Sequence, residues 1–182
     1  MRETSTCLSI IDRYCTSEEQ RHILLVHSQA VANKALSIAR KHPELQADEV
    51  FIEEAALLHD IGIVKVDAPR IACCGTEPYI RHGILGAEIL RSEGMERHAL
   101  VCERHTGTGL TLKQITEQDL PLPQRDMQPV SIEEQIICFA DKFFSKTRLD
   151  EEKSIEQARR SLEKFGAEGL EKFDAWCRIF SD

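Results

Sequence analysis

An all-α fold is expected from three features of the chain. Capped helix starts recur along it, apolar residues repeat at spacings of three and four, and no stretch alternates apolar and polar residues over strand length. Ser17 is followed three residues later by Gln20, a capping pattern, so the first long helix is placed over about 18–41. It stops at His42 and Pro43, because proline cannot continue the hydrogen-bond ladder. A second helix follows Asp48 and ends near Gly62. A third covers about 78–93, with Gly94 as its left-handed terminator, and a fourth ends near His105. Thr106-Gly107-Thr108-Gly109 breaks the pattern, either as a plain terminator or as a segment whose backbone can approach a ligand closely. Thr111 and Gln114 open a short helix, and Pro121, Pro123 and Pro129 mark an irregular loop. Ser131 and Glu134 open a helix over about 132–147, and Ser154 and Gln157 open the first of two closing amphipathic helices. Residues 1–16 carry only the short Leu8, Ile10, Ile11 cluster behind acidic Glu3, with no signal-peptide layout.

With 182 residues, 42 % apolar and 30 % charged, the chain is expected to form one domain over 1–182. The short, charged stretch 148–153 is the best linker candidate. Net charge −8 argues against a nucleic acid held by charge neutralisation alone, while a small phosphorylated ligand remains compatible if metal ions or local lysines offset its charge. No segment approaches the roughly 20 apolar residues of a membrane span, and the cytoplasm is the default location. Seven cysteines without CxxC spacing suggest neither a disulfide framework nor a zinc ribbon, and the adjacent Cys73 and Cys74 are read as loop thiols ahead of a redox or metal feature. Oligomeric state is not legible.

His27 shares a helical stripe with Leu24, Val31, Ala35 and Ile38, which places it on a buried face. His59 follows Ile52, Ala55 and Ala56. His82 sits between Tyr79 and Gly86, His105 follows Val101 and Cys102, and Asp141 lies on the line of Ile137 and Phe144. Buried imidazoles and carboxylates cost several kcal/mol unless satisfied. They must therefore pair with one another or share a metal. One inward histidine is ordinarily a core residue bonded to a backbone carbonyl, but six such groups on five helices point to a common site. Neighbouring helical residues diverge by about 100°, so His59 and Asp60 can reach one site only at a helix end, which Ile61-Gly62 is expected to supply.

Ala56-Leu57-Leu58-His59-Asp60-Ile61-Gly62 resembles the HDIG signature of the HD superfamily of metal-dependent phosphohydrolases. The resemblance covers about 18–147, with His27 matching the first-helix histidine, Asp141 the distal aspartate, and His82 and His105 the additional histidines of dinuclear members. About 154–181 form a helical extension outside it. The resemblance implies a compact helical bundle with a central metal site. Asp60 would bridge two ions, with His27, His59 and Asp141 on one and His82 and His105 on the other. One or two divalent transition-metal ions are expected, iron first, with Mn, Ni, Co, Zn or Mg as alternatives. The implied activity is attack of a metal-activated water on phosphorus in a nucleotide or similar small metabolite. Lys65, one or two positions further behind the doublet than in common variants, is the candidate phosphate contact and, with Asp60, the candidate catalytic residue. Arg81, Arg104, Lys142 and Lys146 flank the ligands as candidate substrate contacts. His22, His42 and His98 fall outside the pattern. Two other readings share the same six residues: a mixed-valent di-iron oxygenase of this superfamily, and a non-catalytic metal-binding regulatory module. Leu162, Phe165, Leu170, Phe173, Trp176, Ile179 and Phe180 are expected to cover the bundle or a partner chain.

Overall fold

The computed structural model describes residues 2–181. Its helices are α1 Arg2–Tyr14, α2 Glu18–Lys41, α3 Glu49–Leu58, α4 His82–Ser92, α5 Glu96–Arg104, α6 Leu112–Glu117, α7 Ile132–Asp141, α8 Ile155–Leu162 and α9 Ala167–Phe180. Short 3-10 turns join several of them. The strand content among the described residues is a two-residue hairpin, β1 Asp67–Ala68 against β2 Cys73–Cys74, antiparallel with Asp67 opposite Cys74.

The caps act where the sequence placed them. The Ser17, Ser131 and Ser154 hydroxyls accept from the backbone amides of Gln20, Glu134 and Gln157, and Thr111 does the same for Gln114. Each thereby satisfies an amide that the first turn of a helix leaves unpaired. Gly94 ends the α4 region with φ +76°, in the left-handed conformation that a side chain resists.

One helix is added to those expected and two expected helix ends are corrected. Residues 2–14 form a helix, α1, whose Cys7, Ile10 and Ile11 are buried; a face of three apolar residues at spacing 3 and 4 was enough. The α3 helix ends at Leu58 rather than near Gly62, and Ile61–Lys65 continue as a tighter 3-10 turn. The α7 helix ends at Asp141 rather than at about 147, where the amides of Lys142, Phe143 and Phe144 switch to carbonyls three residues back.

Two apolar clusters fill the interior. One joins Val31, Ala35 and Phe51 to Ile136, Phe139, Phe173, Trp176 and Phe180, so the C-terminal helices share a core with α2, α3 and α7. Phe139 sits at its centre, with its ring within 5.0–6.4 Å of those of Phe143, Phe173, Trp176 and Phe180. The other cluster joins Ile10, Ile11 and Leu24 to Leu58, Ile61, Leu85, Leu90 and Cys102. Along α2, Leu24 belongs to the second cluster and Val31 to the first, and His27 lies at the seam between them.

Candidate metal centre

Helix termini position most of the site. His59 and Asp60 follow directly on α3, His82 opens α4, His105 follows α5 and Asp141 closes α7; only His27 lies mid-helix. The tight turn after Leu58 is what lets two adjacent residues face one point. Gly62 has a different part from the helix end expected of it. A Cβ there would lie 1.9 Å from the His82 carbonyl oxygen and 2.3 Å from the Gly86 amide, so a glycine is needed for α4 to approach the doublet. The glycine of the motif therefore sets the distance between the doublet and His82.

The six side chains come together in two groups that share Asp60. In the first, His27 Nε2 is 3.0 Å from Asp60 Oδ2 and 3.1 Å from Asp141 Oδ1, while His59 Nε2 is 3.0 Å and 3.4 Å from the same two oxygens. In the second, the Nε2 atoms of His82 and His105 are 3.5 Å and 3.4 Å from Asp60 Oδ1 and 3.0 Å from each other. Within each group the donor atoms all lie within 4.8 Å of one another. His27, His59, Asp60, His82 and His105 are buried, and the Asp141 side chain is nearly so.

Backbone carbonyls orient three of the rings. Nδ1 of His59 donates to the Ala56 carbonyl (2.6 Å), that of His82 to Tyr79 (2.8 Å) and that of His105 to Cys102 (2.7 Å). A carbonyl can only accept, so Nδ1 of each ring carries a proton and each Nε2 turns into the cluster, with a free electron pair on the neutral His82 and His105 rings. Two such pairs facing one another at 3.0 Å between His82 and His105 repel unless a cation lies near both. Nε2 of His59 and both oxygens of Asp60 are buried without a hydrogen bond of regular geometry. Imidazole nitrogen and carboxylate oxygen are the donors first-row transition metals prefer. On all three counts the cluster is able to bind metal.

Charge is distributed unevenly. Burial works against the ionised carboxylates, but the Lys142 ammonium and the His27 and His59 rings hold Asp141 well below the usual carboxylate range, and Lys146 and His59 do the same for Asp60. His59 is buried too, yet the two carboxylates raise its pKa to about 9. A proton on Nε2 is the cation those carboxylates attract. For His82, burial and the neighbouring His105 push the pKa down to about 3, and burial lowers that of His105 as well.

The cluster opens on a cleft of about 490 Å³, lined by His82, His105 and Asp141 together with Tyr79 and the cations Arg70, Lys142, Lys146, Lys153 and Lys164. Of the cations singled out in the sequence, two reach it. Lys142 Nζ donates to Asp141 Oδ2 (2.7 Å) and to the His105 carbonyl (3.0 Å), leaving Oδ1 for the rings, and Lys146 Nζ lies 2.6 Å from Asp60 Oδ2. The structure does not bring the other three to the cleft. Lys65 ends the 3-10 turn with its side chain exposed and its carbonyl taken by the amides of Thr76 and Glu77. Arg81 pairs with Glu77 and Arg104 with Glu134. His98 pairs with Glu54 and His42 with Glu44, away from the cluster. Sequence reading missed Tyr79, whose ring stacks on His82 (4.8 Å between centroids, 28°) and whose hydroxyl accepts from Lys146 (3.3 Å). Its position three residues before His82, one helical turn away, was the available signal. Arg70, Lys153 and Lys164 carried none.

The fold and this site define the class: the chain belongs to the HD domain family, whose model matches residues 24–145. An uncharacterized protein of Methanocaldococcus jannaschii is 33 % identical over 164 residues, which cover 89 % of this chain and 88 % of that protein. Two proteins named tRNA (cytidine(56)-2'-O)-methyltransferase are also similar. That of Thermoplasma volcanium is 31 % identical over 91 % of this chain, and that of Picrophilus torridus 34 % over 79 %. The shared stretch spans only 44 % and 36 % of those two proteins. Among solved structures, the HD domain of the L. monocytogenes phosphodiesterase PgpH, in complex with cyclic-di-AMP, superposes with a TM-score of 0.55 at 17 % identity, covering 93 % of this chain and 92 % of that one. That likeness is one of fold. No helix among the described residues is long and apolar enough to cross a membrane.

Proposed function

We propose that this chain is a metal-dependent phosphohydrolase acting on a phosphate ester of a small metabolite, with nucleotides the first candidates. The observation that carries this reading is the pair of ligand groups sharing Asp60 and opening on a cleft rich in lysine. His27, His59, Asp60 and Asp141 would hold one cation, and Asp60, His82 and His105 a second. Divalent cations held there would supply an acidified water and neutralise charge on the phosphoryl oxygens. The remaining steps fall to the chain. Lys142 fixes Asp141 in orientation through its bond to Oδ2. Lys146 faces the cleft beside Asp60 and is the group we assign to a phosphoryl oxygen, in place of Lys65. Tyr79 holds His82 twice, by its carbonyl at Nδ1 and by its ring against the imidazole. Burial of the ligand set keeps bulk water from competing for the cations.

The name of the fold relative supports trying phosphate esters first, because it is called a phosphodiesterase and was solved with a cyclic dinucleotide. Methyl transfer is not assigned, since this chain spans less than half of each methyltransferase it matches. The test is metal analysis of protein purified under native conditions, followed by phosphate release from a nucleotide panel with and without oxygen. The expected result is bound metal and release independent of oxygen, abolished by Asp60→Asn. Oxygen-dependent substrate consumption without phosphate release would replace this reading with oxygenase chemistry, and metal without any turnover would replace it with a regulatory module.

A further inference from the structure

Residues beyond the family-matched region form one wall of the cleft: Lys153, Ser161, Lys164 and Phe165 line it together with His82 and His105. This wall is fixed in place. The Phe165 carbonyl accepts from Gln114 Nε2 at 2.8 Å, and its ring lies so close over Gly107 that a Cβ there would meet it at 3.1 Å. Gly107, at φ +61°, belongs to the Thr106-Gly107-Thr108-Gly109 break, whose first glycine therefore seats the C-terminal wall against the residue pair next to His105.

The charge of this wall is out of keeping with the rest of the chain. In a protein of net charge −8, five cations and one carboxylate, Asp141, line the cleft among the described residues. Lys142 and Lys146 are committed to Asp141 and Asp60. The other three are not. Arg70 and Lys164 have no ion-pair partner among the described residues, Lys164 lying over the Phe165 ring at 5.1 Å, and Lys153 reaches the Lys142 carbonyl at 3.4 Å. Among the described residues no nearby acid is ion-paired with them: Glu151 is paired with Arg148 and Glu152 with Lys34, and Asp67, Asp150 and Glu163 make no ion pair with the three.

We infer that Arg70, Lys153 and Lys164 form a second anion subsite, so that the substrate carries a further phosphate group apart from the one that reacts. The inference rests on the phosphohydrolase reading for the identity of the reacting group. A doubly charged phosphate suits three uncommitted cations better than a single carboxylate does, and lysine binds it as a point charge without demanding a fixed geometry. The cleft volume of about 490 Å³ is within the range of small-ligand sites.

Calorimetry on the full chain with adenosine 5′-monophosphate and adenosine 3′,5′-bisphosphate tests this. The wild type should bind the bisphosphate about tenfold more tightly, and the double variant Lys153→Gln, Lys164→Gln should bring the two affinities to within about threefold. Arg70→Gln and Lys164→Gln, each at an exposed position, should each remove part of the preference. Lys113→Gln with Arg178→Gln, exposed cations outside the cleft, removes the same formal charge and should leave the preference intact. Equal binding by the wild type, a preference that survives the Lys153 and Lys164 changes, or an equal loss in the distant pair overturns the subsite. A preference that behaves as expected, with no phosphate released from any ester, would leave the subsite standing and remove the hydrolase reading instead.

Discussion

The two halves of the ligand cluster are built from similar atoms but poised differently. The half made by His27, His59 and Asp141 has two carboxylates between two rings, and a proton on His59 already offsets part of their charge. The half made by His82 and His105 has only a shared oxygen of Asp60 between two neutral rings. The first half must give up a proton to take a metal, whereas the second is ready but less strongly charged. The electrostatic difference follows from where the carboxylates are. Support differs too. Lys142 holds the first half together through Asp141, and Gly62 holds the second by letting α4 come close.

The largest expected effect comes from the residue both halves share. Asp60→Asn should reduce metal content toward zero by elemental analysis and lower kcat/KM about 10³-fold, the scale of several kcal/mol of lost charge stabilisation. Retention of one full equivalent would mean that the halves do not depend on a common carboxylate. Next in size, His82→Ala and His105→Ala should each remove the metal of the second half and leave that of the first, while His27→Ala should do the reverse; unchanged stoichiometry in all three would defeat the two-group description. Gly62→Ala pushes a methyl group into the α4 backbone and should cost about 1–3 kcal/mol in chemical denaturation. Its metal loss should be confined to the second half. A milder effect is expected of Lys142→Gln, which frees Asp141 to rotate and should weaken the first half's metal affinity about 10–100-fold by competition with a chelator, with the second half little changed. Smallest of all, Lys65→Ala should leave kcat/KM within about twofold, the size usual for exposed positions; a loss of tenfold would return Lys65 to the site.

How much was legible varied with the range of the interaction. The inward register of His27 followed from Leu24 and Val31 on its own helix, and both are buried with it. His105 could be placed from Val101 and Cys102 in the same way. Lys65 is suggested by the lysine that related proteins carry close behind the doublet, whereas here a five-residue 3-10 turn carries its side chain out to solvent. Gly62 could be recognised as part of a motif, but its reason lay in a carbonyl twenty residues ahead, at His82. The α1 helix is hard to read from sequence because the buried residues described on its face are Cys7, Ile10 and Ile11, a short stripe.

By itself the chain determined where helices begin, which of their residues face inward, and that imidazoles and carboxylates would have to share an interior site, because caps and helical periodicity act within a few residues. Tertiary structure decided which rings share which oxygen of Asp60, which lysines reach the cleft, and that the C-terminal segment walls it. Those outcomes depend on crossings between elements far apart in sequence, where packing rather than local preference chooses the neighbours.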